Sequence, residues 1–147
     1  MPESHLRVMV DICVALDVLL AREPFLADAL GVFALGEAGT IELVLSTDAV
    51  STIFYIVGRN RDAAAAREAV AKLLDMVRLS ALDEHAVLRA MTLEFTDIED
   101  ALVAAVAERE GASLIVTRNA GDFANSSVPA VEPAELVAGE TARNGDV

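Results

Sequence analysis

The apolar residues of this chain fall into two kinds of run. Short, continuous, β-rich runs occur at Leu6–Val10, at residues 41–45 and at Leu114–Val116. Runs of that length, apolar at successive rather than alternate positions, predict parallel strands buried on both faces. The intervening segments change to helix formers. Residues 12–21 predict a first helix, broken at Arg22, Glu23 and Pro24, and residues 25–36 a second, closed by Gly36 and Gly39. Ser46, Thr47 and Asp48 are capping candidates for a helix running to about Val57. Over residues 62–77 the spacing of Ala66, Val70, Leu73, Leu74 and Val77 is that of one buried helix face. Residues 79–82 read as a short strand and 83–93 as a helix whose acids sit favourably at its start. Ile98, Leu102, Ala105, Val106 and Arg109 trace the face of the next helix, ended by Gly111, and a last short strand is expected at 130–132.

Strands alternating with helices imply right-handed crossovers and a parallel sheet covered on both sides. The expected fold is therefore α/β, a three-layer α/β/α sandwich around a short parallel sheet. Residues 1–138 make one domain, and the end of the chain, GETARNGDV over residues 139–147, lacks periodic apolar residues and is expected to fray. An apolar content of 54% in 147 residues is enough for one core.

Charge changes the picture more than composition does. With 24 acidic against 11 basic residues the net charge is −13, which argues against non-specific adhesion to nucleic acid or an anionic membrane. Lys72 is the single lysine, so anion recognition would fall to arginine forks. One cysteine, Cys13, rules out an intramolecular disulfide and fits a reducing compartment. The opening MPESHLRVMVD shows no basic region followed by a long apolar run, and no window approaches the roughly 18 apolar residues of a membrane span. A cytoplasmic protein is expected.

In open parallel sheets, ligands gather beyond the carboxyl ends of the strands, so acids falling there carry weight. Asp11 follows the first strand, Asp97 and Asp100 open a helix, and Asp122 lies in the turn after Leu114–Val116. Spacing of three places Asp97 and Asp100 on nearly the same helix face, with Glu99 pointing elsewhere. Clustered carboxylates repel, and a hard divalent cation, Mg2+ or Mn2+, relieves that repulsion and can activate water for attack at phosphorus. Each acid also has a plain structural reading: Asp97 as a helix cap paired with Asp100, Asp122 as a turn residue, Asp11 as a solvated or hydrogen-bonded strand end. Asp17 reads as part of a solvated helix face. His5 and His85 look peripheral, which leaves little room for Ser/His/Asp or Cys/His chemistry.

The runs VMVDICVALDVLLAREPF, LSTDAVSTIFYIVGR, LEFTDIEDALVAAVAEREGASLIVTRN and GDF, in that order, resemble the PIN-domain family, and within it the VapC-like toxin ribonucleases. The resemblance spans about residues 8–136, and DIEDALVAAVAEREGASLIVTRNAGDF is its most specific piece. It implies a metal-dependent endoribonuclease acting on RNA, the toxin of a toxin–antitoxin pair, with an antitoxin protein as partner and a homodimer as assembly. It also implies site residues: Asp11, Asp100 and Asp122 as acids around one magnesium or manganese ion, Asp97 as an additional acid of this branch, and Asn119 as a ligand of the metal or its water. Thr117 matches a hydroxyl supporting the first acid, and Arg118 matches a possible phosphate contact or a surface residue.

Two departures stand out. Cys13 takes the place of a frequent Asn two residues after the first acid and reads as a packed, inert thiol. Thr52 replaces the acid expected in LSTDAVSTIFYIV, and Asp48, one helical turn earlier, is no obvious substitute. That loss supports a rival reading, a non-catalytic PIN-fold protein that keeps its acidic pocket for a protein partner. Arg59 and Arg61, with Arg67 further on, form the one local basic grouping, either a guide for phosphates or a solvated turn and helix face.

Overall fold

A computed structural model describes residues 6–145. Five strands, β1 (Leu6–Val10), β2 (Ile41–Ser46), β3 (Arg78–Ser80), β4 (Leu114–Val116) and β5 (Ala130–Val131), form one sheet in the order β3-β2-β1-β4-β5. Every pairing is parallel, with Val8 opposite Leu43 on one side and Leu114 on the other. Among the described residues seven helices accompany them: α1 (Ile12–Leu19), α2 (Leu26–Glu37), α3 (Thr47–Asn60), α4 (Ala63–Leu74), α5 (Glu84–Ala90), α6 (Ile98–Glu110) and α7 (Pro133–Gly145).

Side chains alternate across a strand, and that divides the core in two. Val8, Val10, Leu43, Leu45 and Val116 pack with residues of α1, α2, α3, α4 and α7, while Met9, Val44 and Ile115 pack with α5 and α6. Both sheet faces are dry, which is why these strands read as unbroken apolar runs. Strand order reverses between β1 and β4, so the connections leaving these two strands diverge and open a crevice at the carboxyl edge.

Aspartates begin four of the helices. Asp11 accepts from the Ile12 amide, Asp62 from Ala65, Asp83 from Ala86 and Asp97 from Glu99. Each such cap contributes about 1 kcal/mol. Ser46 occupies the corresponding position of α3 without a side-chain cap, because its hydroxyl donates to the Asp48 carboxylate instead. Gly111 ends α6 at φ 68°, the left-handed conformation glycine adopts freely.

Three expectations need correction. The chain does not fray from Gly139, since α7 continues to Gly145 and buries Leu136 and Glu140. Helix α7 lies so close to α2 that a methyl at Gly31 would come within 2.9 Å of Val137, and this docking supplies the order that the local sequence lacks. On α6 the buried face is Ala101, Ala104, Ala105, Val106 and Ala107, whereas Ile98 is exposed, because small residues let the helix approach the sheet closely. Asp17 is not solvated but wholly buried, within an ion pair described below. His5 and residues 146–147 lie outside the described residues.

Candidate active site

At the carboxyl edge a cavity of about 200 Å³ opens between the ends of β1 and β2 and the first turns of α3 and α6. Asp11, Asp48, Asp97 and Asp100 line it, together with Asn119 and Thr52. These residues come from positions over a hundred apart in sequence, and the crevice at the strand-order reversal collects them.

Asp11 is the most constrained. It is 7% exposed, and its Oδ1 accepts from the Ile12 amide at 2.8 Å while Oδ2 accepts from Thr117 Oγ1 at 2.8 Å. Thr117, fully buried, also receives the Asn119 amide at 3.1 Å, so one hydroxyl sets both the Asp11 rotamer and the path of the chain into the next turn. The Cys13 thiol lies 3.6 Å from Asp11 Oδ2, and burial, then the Asp11 charge, push its pKa up. It stays protonated and inert at neutral pH.

Asp97 spends one oxygen on the Glu99 amide at 2.8 Å, so it is a helix cap as well as a cavity residue. The Asp100 carboxyl has its pKa raised to about 6, by burial first and then by the charges of Asp97, Asp11, Asp122 and Glu99. Glu99 therefore does not point away: it lines the cavity too. Asp122 sits beyond the lining, in a 3-10 turn over Ala120–Phe123, close enough for its charge to act on Asp100. Phe123 anchors that turn, buried against Phe95 in an edge-to-face arrangement with centroids 6.0 Å apart.

Asp48 lines the same cavity as Thr52 and receives the Ser46 hydroxyl. A displacement of four residues argues against it as a substitute in the sequence, but residues at that spacing share a helix face. The spacing is visible in the sequence; the depth of the cavity, which reaches two turns of α3, is not.

Arg118 is not placed to meet phosphate in the cavity. Its Nε donates to Asp17 Oδ2 at 2.7 Å and its Nη2 to Oδ1 at 3.3 Å, and the guanidinium lies 4.0 Å from the Phe25 ring centroid. Asp17, wholly buried, needs that forked partner, so the arginine turns toward α1 and away from the acids.

Apart from the protonated Cys13 thiol, the donors lining the cavity are oxygens of carboxylates, hydroxyls and the Asn119 amide, which suits a hard divalent cation. Burial first, and then the charges of the neighbouring acids, raise the Asp100 pKa, and a cation beside it would favour the charged carboxylate against both. Among the described residues no three His, Cys, Asp or Glu side chains stand close enough to form a closed metal-holding cluster, so the fit is one of chemistry and placement.

A family model described as "PIN domain" matches residues 7–121. No curated protein gives a significant match. Among solved structures, the DNA-bound VapBC of Salmonella typhimurium superposes with a TM-score of 0.69 at 14% identity, over 87% of this chain and 98% of that one. VapBC2 of Rickettsia felis, bound to a promoter DNA fragment, gives 0.67 at 13% identity, over 86% and 98%. VapC20 of Mycobacterium tuberculosis, a sarcin-ricin loop cleaving toxin, gives 0.59 at 16%, over 74% and 86%. Likeness at these identities is one of fold.

Proposed function

The chain belongs to the PIN-domain family, and from that premise we propose that it is a divalent-metal-dependent endoribonuclease, the toxin of a toxin–antitoxin pair. The observation that carries the reading is the convergence of Asp11, Asp48, Asp97 and Asp100 from separate elements on one cavity, where burial first and the neighbouring charges next raise the Asp100 pKa to about 6. Magnesium or manganese would be held by Asp11 and Asp100 with Asn119, Asp48 would contribute the carboxylate absent at Thr52, and Asp122, beyond the lining, would add its charge from the adjoining turn. Bound there, the cation supplies an activated water and charge compensation at phosphorus. The chain's own part is positioning. Ile12 N–H and Thr117 Oγ1 hold the two oxygens of Asp11, and the α6 cap at Asp97 fixes where Asp100 emerges. Attack of water at phosphorus breaks one P–O bond, and the leaving oxygen takes up a proton.

Proposed partners follow from the same reading. A toxin–antitoxin complex from Klebsiella pneumoniae is among the solved neighbours, which supports an antitoxin for this chain. A homodimer is supported by exposed apolar residues, but not those of the first two helices, most of which are covered. Of the exposed large apolar residues, Val87, Leu88 and Met91 on or just after α5, with Ile98 at the start of α6, form the run this assembly would use.

Thr52 in the cavity favours a second reading, a PIN-fold module that binds protein and cuts nothing. Incubating the chain with structured and unstructured RNAs in manganese, magnesium or chelator separates the two. Cleavage that needs the metal and disappears in Asp100→Asn is expected; cleavage indifferent to chelator and to that substitution, or none under any condition, overturns the nuclease reading.

A further inference from the structure

Eight of the eleven basic side chains stand within salt-bridge distance of a carboxylate among the described residues: Arg7, Arg22, Lys72, Arg78, Arg89, Arg109, Arg118 and Arg143. The other three are Arg59, Arg61 and Arg67, gathered where α3 turns into α4. Among the described residues, a molecule of net charge −13 thus keeps the arginines that lack a carboxylate partner in one place. That place also carries exposed aromatic surface. Tyr55 is 61% exposed, Arg59 lies 5.5 Å from its ring centroid, and Arg67 lies 5.9 Å from that of Phe54. Phe54, Tyr55, Gly58, Arg59 and Ala63 line a shallow depression there.

The grouping is continuous with the acidic cavity. Asp48, Thr52, Tyr55 and Arg59 follow one another at spacings of four, three and four, which is a single stripe along α3. Its first two members line the cavity, and about eleven residues of helix carry the stripe about 16 Å from there. Guanidinium groups resting on aromatic rings hold a fixed plane while keeping N–H forks available for phosphate oxygens. An exposed tyrosine beside them offers a face on which an unpaired base can stack.

We infer that this stripe, Tyr55 and Arg59 with Arg61 and Arg67, is the surface that receives single-stranded RNA and feeds it to the acidic cavity. The inference rests on the ribonuclease reading and adds to it the substrate form, unpaired RNA, and the direction of approach along α3. Charge decides the occupant: phosphates are repelled over most of this acidic protein, and among the described residues they meet uncompensated cations here.

The test measures binding of a fluorescent, unstructured oligoribonucleotide by anisotropy, with magnesium present and in an Asp100→Asn background that suppresses cleavage. Replacing Arg59, Arg61 and Arg67 together by Ala is expected to weaken binding and to flatten the slope of log affinity against log salt by about 2, at roughly 0.7 for each phosphate no longer neutralised. Tyr55→Ala is expected to cost about tenfold with the slope unchanged, and Tyr55→Phe to retain affinity, as stacking requires. In the chain with Asp100 intact, the triple substitution raises KM for RNA cleavage more than it lowers kcat. A chain that cleaves RNA with manganese but keeps its KM and salt slope after these substitutions overturns the surface alone. Absence of cleavage by the unsubstituted chain overturns the nuclease reading and is seen before any variant is made. Loss of a dimer on light scattering in Tyr55→Ala, with RNA affinity unchanged, assigns the stripe to a second copy of the chain and also overturns the inference.

Discussion

Asp48 and Thr52 stand one turn apart on the same face of α3, and the cavity reaches both. A carboxylate displaced by one turn moves about 5.4 Å along the axis, a span that a metal-bound water can bridge. Asp48→Asn is therefore expected to weaken manganese binding about tenfold by calorimetry, and Thr52→Glu in that background to restore it. Asp100→Asn is expected to remove binding altogether while raising the melting temperature of the metal-free protein, because it relieves the crowding around Asp100. A wild-type manganese affinity in Asp48→Asn would show that this acid plays no part. Arg118 illustrates the opposite outcome, a candidate taken up by an ion pair. With Asp17 wholly buried and its partner a quarter exposed, Asp17→Ala is expected to cost about 3 kcal/mol in chemical denaturation and to leave manganese affinity alone.

At the scale of elements, the two edges of the sheet have different tasks. The carboxyl edge gathers acids, whereas Arg7, Glu42, Arg78 and Glu110 form a charge network tying β1, β2 and β3 to the end of α6. The Ser80 hydroxyl at 2.6 Å and the Arg78 guanidinium at 2.5 Å hold the Glu110 pKa below its ordinary value. A carboxylate with a depressed folded-state pKa stabilises the fold above its unfolded pKa of about 4.3, and that contribution is lost as pH falls through the lower folded value. Glu110→Gln should accordingly lower the melting temperature at pH 7, with the gap between variant and wild type closing below about pH 4. A gap constant from about pH 7 to about pH 3 would mean that the charge of Glu110 is irrelevant. Helix α7 shows how an element can be hidden from local reading. Its sequence has weak periodicity, and its order comes from the close approach to Gly31 and burial of Leu136.

For the molecule as a whole, the exposed apolar residues of α5 and the start of α6 predict assembly. Leu88→Glu combined with Met91→Glu should reduce the solution mass by half, to the 15.5 kDa of one chain, on light scattering. A wild-type chain already of that mass would refute the dimer. The α/β class, the parallel sheet and the three layers were legible from the sequence, since run length and periodicity are local properties and the handedness of crossovers leaves few arrangements. So was the candidacy of Asp11, Asp97, Asp100 and Asp122, each placed by its position after a strand or before a helix. What local pattern could not decide was direction and company. Whether Arg118 faced the acids depended on Asp17, 101 positions away; whether Asp48 joined them depended on how deep the crevice ran; and whether residues 139–145 held together depended on a groove in α2. Each is settled by packing between segments distant in sequence, where burial favours the arrangement that gives a polar group such as Asp17 its partner, and a group kept at the surface stays uncommitted.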